Sequence, residues 1–142
     1  MGHNNENTRP EILLVEDNQA DIVLIKEALE ICGLECNINI AWNGNEALKF
    51  LRKEANYSGA LTPHLVLMDL NMPIKNGLEV LAEIRNDMNL NHIPVIILTS
   101  SESDRDMNRS QELFASGYII KSTNFDDFMF RISSTLRHWL FK

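Results

Sequence analysis

Leu65-Val66-Leu67-Met68 runs straight into Asp69-Leu70-Asn71-Met72-Pro73, with Pro63 two residues ahead of it. Four consecutive apolar residues leave no polar side. That pattern marks a strand covered on both faces, as in a parallel sheet, rather than a half-exposed antiparallel one. Pro63 falls just before the run, where a missing amide donor harms no ladder. A carboxylate then follows directly at the strand's carboxyl end.

The same pattern recurs on both sides of this stretch. Ile12-Leu13-Leu14-Val15 ends on Glu16-Asp17, and Val95-Ile96-Ile97-Leu98, behind Pro94, ends on Thr99-Ser100-Ser101. Ile38-Asn39-Ile40-Ala41 and Tyr118-Ile119-Ile120 complete the set, the last followed by Lys121-Ser122. Helical spacing fills the gaps. Ile22, Ile25, Leu29 and Cys32 follow Asp21, with Gly33 as a stop, and Ala47, Leu48 and Leu51 follow Asn43-Gly44. Leu78, Leu81, Ala82 and Ile84 follow Gly77; Ser103 opens a fourth helix through Met107, Leu113 and Phe114; and Asn124 opens the last. Strictly alternating strand and helix predicts an α/β fold, a (βα)5 doubly wound five-stranded parallel sheet in the order 2-1-3-4-5. The first ten residues read as a flexible tail and residues 11–142 as one domain.

Composition narrows the function. With 142 residues, 13 Lys+Arg and 20 Asp+Glu, the chain carries a net charge of −7. Sequence-independent nucleic-acid binding rests on neutralising phosphates with cations, so no nucleic-acid partner is expected, and an anionic membrane surface is equally unfavourable. No apolar run approaches a span, and the opening residues lack a signal-peptide core, so a cytoplasmic setting is predicted. Cys32 and Cys36 are too few for a disulfide scaffold and read as small hydrophobes at a helix end.

In an open parallel sheet, ligands bind beyond the carboxyl ends of the strands where the order reverses, here between strands 1 and 3. Glu16, Asp17 and Asp69 then meet in one crevice, with the Thr99 hydroxyl and the Lys121 ammonium to one side. Taken singly, a Glu-Asp pair after a strand is usually a helix cap, and a strand-end Thr or Lys is usually surface. Their joint occurrence at the required strand ends outweighs those readings. Two like charges about 4 Å apart repel by about 4 kcal/mol at an effective dielectric of 20, so three carboxylates need a cation or must take up protons. An all-oxygen donor set points to Mg²⁺ or Mn²⁺ rather than zinc, and such a metal commonly joins carboxylates to a phosphoryl group. One carboxylate is therefore a phosphoryl-acceptor candidate, with Thr99 and Lys121 to bind the incoming oxygens.

These residues, together with Met72-Pro73-Ile74-Lys75-Asn76-Gly77 and Tyr118-Ile119-Ile120-Lys121, resemble the response-regulator receiver domain of two-component signalling, a flavodoxin-like fold. The resemblance runs from about Glu11 to the C-terminus. It implies that Asp69 accepts a phosphoryl group from a histidine of a sensor kinase or a histidine phosphotransfer protein. It further implies that Asp17 and Asp69 bind Mg²⁺ (or Mn²⁺) directly, with Glu16 through water and the backbone carbonyl of Asn71 as a further ligand. Thr99 and Lys121 would grip the phosphoryl oxygens, and Thr99 and Tyr118 would act as the switch that alters the face made by helix 4, strand 5 and helix 5. Ser122 departs from the family, which usually has Pro after the lysine. A narrower resemblance, carried by Lys121-Ser122, the long stretch from Leu51 to Pro63, and Trp139-Leu140, is to the single-domain regulators paired with bacterial phytochrome kinases. With one domain filling the chain, no output domain is expected. The implied role is signalling, with only self-phosphorylation and slow dephosphorylation as chemistry.

Two rivals remain at this level. A haloacid-dehalogenase-type phosphatase also phosphorylates an Asp after a parallel strand, but it needs an acid two residues on, where this chain has Asn71. A receiver-like interaction module that is never phosphorylated would not require all five site residues. In the last helix, Phe125, Phe128, Met129, Ile132, Leu136, Trp139 and Leu140 predict a core-facing stripe. Phe130 and Phe141 lie on roughly the opposite side. With Trp139 they are the candidates for a homodimer interface at the C-terminal helix.

Overall fold

Alternate residues of the central strands pack into two separate cores, one on each face of a single sheet. A computed structural model of the chain describes residues 9–72, 74–121 and 123–141. The strands are β1 (Glu11–Val15), β2 (Asn37–Ala41), β3 (Leu65–Met68), β4 (Val95–Thr99) and β5 (Gly117–Ile120). The helices are α1 (Gln19–Ile31), α2 (Gly44–Arg52), α3 (Gly77–Asn86), α4 (Asp104–Glu112) and α5 (Phe125–Leu140). All pairings are parallel and the order is β2-β1-β3-β4-β5, as the alternation predicts.

Leu13, Val15, Val66, Met68, Val95 and Ile97 face α2 and α3. Ile12, Leu14, Leu65, Leu67, Ile96 and Leu98 face α1 and α5. Covering on both sides is why these three strands read as unbroken apolar runs. β2 pairs only with β1, and Asn37 and Asn39 stay exposed while Ile38 and Ile40 pack inward. The two asparagine amides donate to the Glu11 carboxylate across the β1–β2 pair.

Each of these five α-helices starts on a side-chain cap. Asn18, Asn43, Asn76, Ser103 and Asn124 each accept the backbone N–H three residues on, which satisfies one of the amides that a helix start leaves unpaired. α1 therefore begins at Gln19, two residues before the Asp21 start that spacing indicates. Cys32 caps its far end.

Two expectations are corrected. α4 stops at Glu112 rather than running through Leu113 and Phe114. Phe114 takes a left-handed φ of 62°, points to solvent, and places its carbonyl where Arg85 Nε donates to it at 2.9 Å. On α5, Phe128, Ile132 and Leu136 are buried, but Trp139 is 39% exposed and is not part of the core face. The buried seam advances in steps of four toward Leu140, and Trp139 stands about 100° round the helix from it. Trp139 instead lines a hollow of about 280 Å³ with Arg9, Pro10, His64 and Leu140. Phe130 and Phe141 are exposed, as expected. Of the tail expected over residues 1–10, the Pro10 carbonyl accepts the Asn37 N–H at 2.9 Å; residues 1–8 lie outside the described residues, as do Pro73 and the departure at Ser122.

Close approach explains Gly77. A Cβ there would sit 2.4 Å from the Asp69 carbonyl oxygen and 3.0 Å from Leu70 Cα, so only glycine lets α3 start against the end of β3. Gly77→Ala is expected to lower unfolding stability by roughly 1–3 kcal/mol, the usual penalty for overpacking. Gly59→Ala, where a Cβ meets nothing within 4 Å, should change it by no more than about 0.5 kcal/mol. Urea midpoints of the two variants check the contrast.

Candidate functional site

The parallel ladder carries the site residues past the formal strand ends. The Glu16 amide donates to the Ala41 carbonyl at 3.0 Å, that of Asp69 to Val15 at 3.0 Å, and that of Lys121 to Thr99 at 2.7 Å. Glu16, Asp69, Thr99 and Lys121 thus emerge side by side. Glu16 (1% exposed), Asp69 (6%) and Thr99 (0%) are buried, whereas Asp17 is exposed at the rim.

Asp69 is gripped from below. Its Oδ1 accepts the Leu70 N–H at 2.9 Å, and the carboxylate also accepts the Asn71 amide and the Thr99 hydroxyl. Burial nevertheless pushes this carboxyl above the usual range, against the pull of Lys121 and these hydrogen bonds. Burial raises Glu16 in the same way, with the negative charge of Asp69 adding to it and the bond to Lys121 opposing it.

Lys121 is the compensating charge. Its Nζ lies 2.8 Å from Glu16 Oε1, 2.8 Å from Asp21 Oδ2 and 3.8 Å from Asp69 Oδ1. Burial alone would loosen its proton. The bonds to Asp21 and Glu16 and the charges of Asp69 and Glu16 more than offset that, and its value lies above the ordinary one. One ammonium against Glu16, Asp17, Asp21 and Asp69 leaves surplus negative charge. Glu16, Asp17 and Asp69 each offer one oxygen, all within 4.8 Å of one another, with neither His nor Cys in the group. That donor set fits a hard divalent cation.

From Thr99 the bonding continues outward. The Ser101 N–H donates to Thr99 Oγ1 at 3.3 Å, and the Tyr118 hydroxyl donates to the Ser101 carbonyl at 3.0 Å. The Ser101 hydroxyl donates to Asp106 of α4 at 2.6 Å. Tyr118, in β5, is half-buried against the core that faces α2 and α3. Phe130 and Trp139 of α5 and Phe141 just past its end take no part in these contacts.

Asp21 is the residue that strand-end reasoning misses. It reads as a helix-start marker, and only the phase of α1 turns it toward Lys121. Its place four residues after Asp17, in the first turn of a helix opening at the crevice, is the available signal.

Comparison with known proteins gives the arrangement a family. Residues 12–133 match the response regulator receiver domain. Response regulator Rcp1 of Synechocystis is 39% identical over 129 residues, covering 91% of this chain and 88% of that protein. The crystal structure of the phosphorylated cyanobacterial phytochrome response regulator RcpA matches with a TM-score of 0.88 at 40% identity, over 94% of this chain and 96% of that one. The Mn²⁺-bound form of Rcp1 matches with a TM-score of 0.86 at 38% identity, over 94% and 96%. No helix among the described residues is long and apolar enough to cross a membrane. By its match across residues 12–133 and its likeness to these proteins, the chain belongs to the response regulator receiver family, signalling proteins of two-component systems.

Proposed function

We propose that Asp69 is the phosphoacceptor in a phosphorelay from a sensor histidine kinase, or from a histidine phosphotransfer protein. The observation that carries this is its setting: a buried carboxylate that accepts the Thr99 hydroxyl and has the Lys121 ammonium 3.8 Å away. An Asp69 oxygen attacks phosphorus, and the P–N bond to the donor imidazole breaks with its electron pair going to nitrogen. The product is an acyl phosphate. Asp17 and Asp69, Glu16 through water, and the Asn71 backbone carbonyl would hold Mg²⁺ or Mn²⁺, which when bound neutralises charge developing on the phosphoryl oxygens. The Thr99 hydroxyl turns from the Asp69 carboxylate to a phosphoryl oxygen, and Lys121 donates to another. Because Ser101 is bonded to both Thr99 and Tyr118, that turn is passed to the edge formed by α4, β5 and α5, the surface offered to a partner. Likeness to RcpA, named a cyanobacterial phytochrome response regulator, supports a phytochrome-type kinase as the donor. A haloacid-dehalogenase-type phosphatase is disfavoured by Asn71, which cannot serve as its general acid.

Incubation with acetyl phosphate and Mg²⁺ is expected to add one phosphoryl group by intact mass, abolished by EDTA and by Asp69→Asn. An adduct that survives Asp69→Asn overturns the assignment.

The raised carboxyls set the pH dependence. A carboxyl that folding lifts above its ordinary value, 4.5 for Glu16 and 3.8 for Asp69, binds its proton more tightly in the folded state. Its contribution to stability is full below those ordinary values and is lost as pH rises through the lifted ones. Mg²⁺ needs the ionised forms, so the stability it adds should grow over that same window, with protons released. Urea midpoints with and without Mg²⁺, taken from about pH 4 upward, test this. An increment that does not rise with pH counts against these ligands.

Phe130 and Trp139, exposed on α5, and Phe141, exposed just past its end, are proposed as a homodimer surface. Sedimentation is expected to show a dimer that Phe130→Asp shifts toward monomer. A wild-type monomer at high concentration, with and without a phosphoryl analogue, is the opposing result.

A further inference from the structure

Lys121 is held by two carboxylates with different prospects. An ammonium has three N–H donors, and two are committed here, to Glu16 Oε1 and Asp21 Oδ2, both at 2.8 Å. The third is left for the side facing Asp69, whose Oδ1 is 3.8 Å away. A four-carbon stem does not fix its own head group, so the direction of that third donor depends on what holds the other two.

Glu16 belongs to the oxygen cluster that fits a divalent cation; Asp21 does not. Were Glu16 to hold a metal through water, its hold on the lysine would slacken. Asp21 has no such competing demand. It is also firmly placed, because its backbone N–H donates to Asn18 Oδ1 at 3.0 Å, and the Asn18 N–H in turn donates to Glu16 Oε2 at 3.3 Å. The turn from β1 into α1 therefore sets the position of both lysine anchors.

We infer that Asp21 is a positioning residue for Lys121: it retains the ammonium once the metal site is loaded and leaves one N–H directed toward a phosphoryl oxygen on Asp69. This rests on Asp69 being the acceptor. Two other roles have different signatures. As a helix-start charge, Asp21 would affect stability and not transfer. As surplus negative charge beside an anionic donor, it would slow phosphorylation, and any neutral replacement would speed it.

The test uses the full chain as wild type, Asp21→Ala and Asp21→Asn. Lysine-labelled, metal-free and Mg²⁺-loaded samples are compared by ¹H–¹⁵N NMR for the Lys121 ammonium, and acetyl phosphate is titrated at saturating Mg²⁺. Asp21→Ala is expected to lose the slowly exchanging Lys121 signal. Its saturating phosphorylation rate should fall about tenfold, the worth of a hydrogen bond to a charged group, with little change in half-saturation. Asp21→Asn keeps an acceptor oxygen and should recover most of both. Transfer by both variants at or above the wild-type rate, or a Lys121 signal that persists in Asp21→Ala, overturns the proposal. A wild-type protein that takes no phosphoryl group refutes Asp69 as acceptor instead, and the Lys121 signal alone then judges the hold of Asp21.

Discussion

The backbone ladder at the strand ends is the constraint on which the site depends. Glu16, Asp69 and Lys121 still donate their amides to a neighbouring strand, so their Cα positions belong to the sheet rather than to loops. Close carboxylates normally relieve repulsion by moving apart. Here the ladder prevents it, because separating Glu16 from Asp69 means breaking hydrogen bonds in the most buried part of the protein. Relief must come from charge. Lys121 supplies part of it, and proton uptake or a cation must supply the rest; burial, which raises both carboxyls above their ordinary values, favours the first of these, with the charge of Asp69 adding to it at Glu16.

The same arrangement explains what could be read from residues alone. β1, β3 and β4 announce themselves because both faces are covered, and the polar residues that break their runs are the site itself. Position relative to a strand end is one-dimensional information, so Glu16, Asp17, Asp69, Thr99 and Lys121 were legible. Asp21 was not, because its contact depends on the rotation of α1 about its axis, which the cap at Asn18 sets. Helical spacing also overran at Leu113 and Phe114, where a tertiary contact to Arg85 turns the chain. Trp139 departs from the core-facing stripe for a related reason: apolar spacing does not reveal how the buried seam drifts near a helix end.

Between the crevice and α4 there is a short chain of bonds rather than a layer of packing. Ser101 links Thr99, Tyr118 and Asp106 through three bonds: its amide donates to the Thr99 hydroxyl, its carbonyl accepts from the Tyr118 hydroxyl, and its own hydroxyl donates to Asp106. Thr99 is fully buried, while Ser101, Tyr118 and Asp106 are only partly so. A rearrangement that begins at Thr99 therefore reaches solvent within a few residues and need not disturb either core.

α4 is where that chain ends, and Ser110 is its one buried residue between Asp104 and Glu112. Ser110 donates its hydroxyl to the helix's own Met107 carbonyl, so even this contact asks little of the rest of the fold. Almost every α4 position can thus change without opening a cavity or stranding a polar group. The helix beside the switch is for that reason free to diverge, and descendants of this chain could acquire new partners there while the phosphoryl chemistry and its supporting sheet stay as they are.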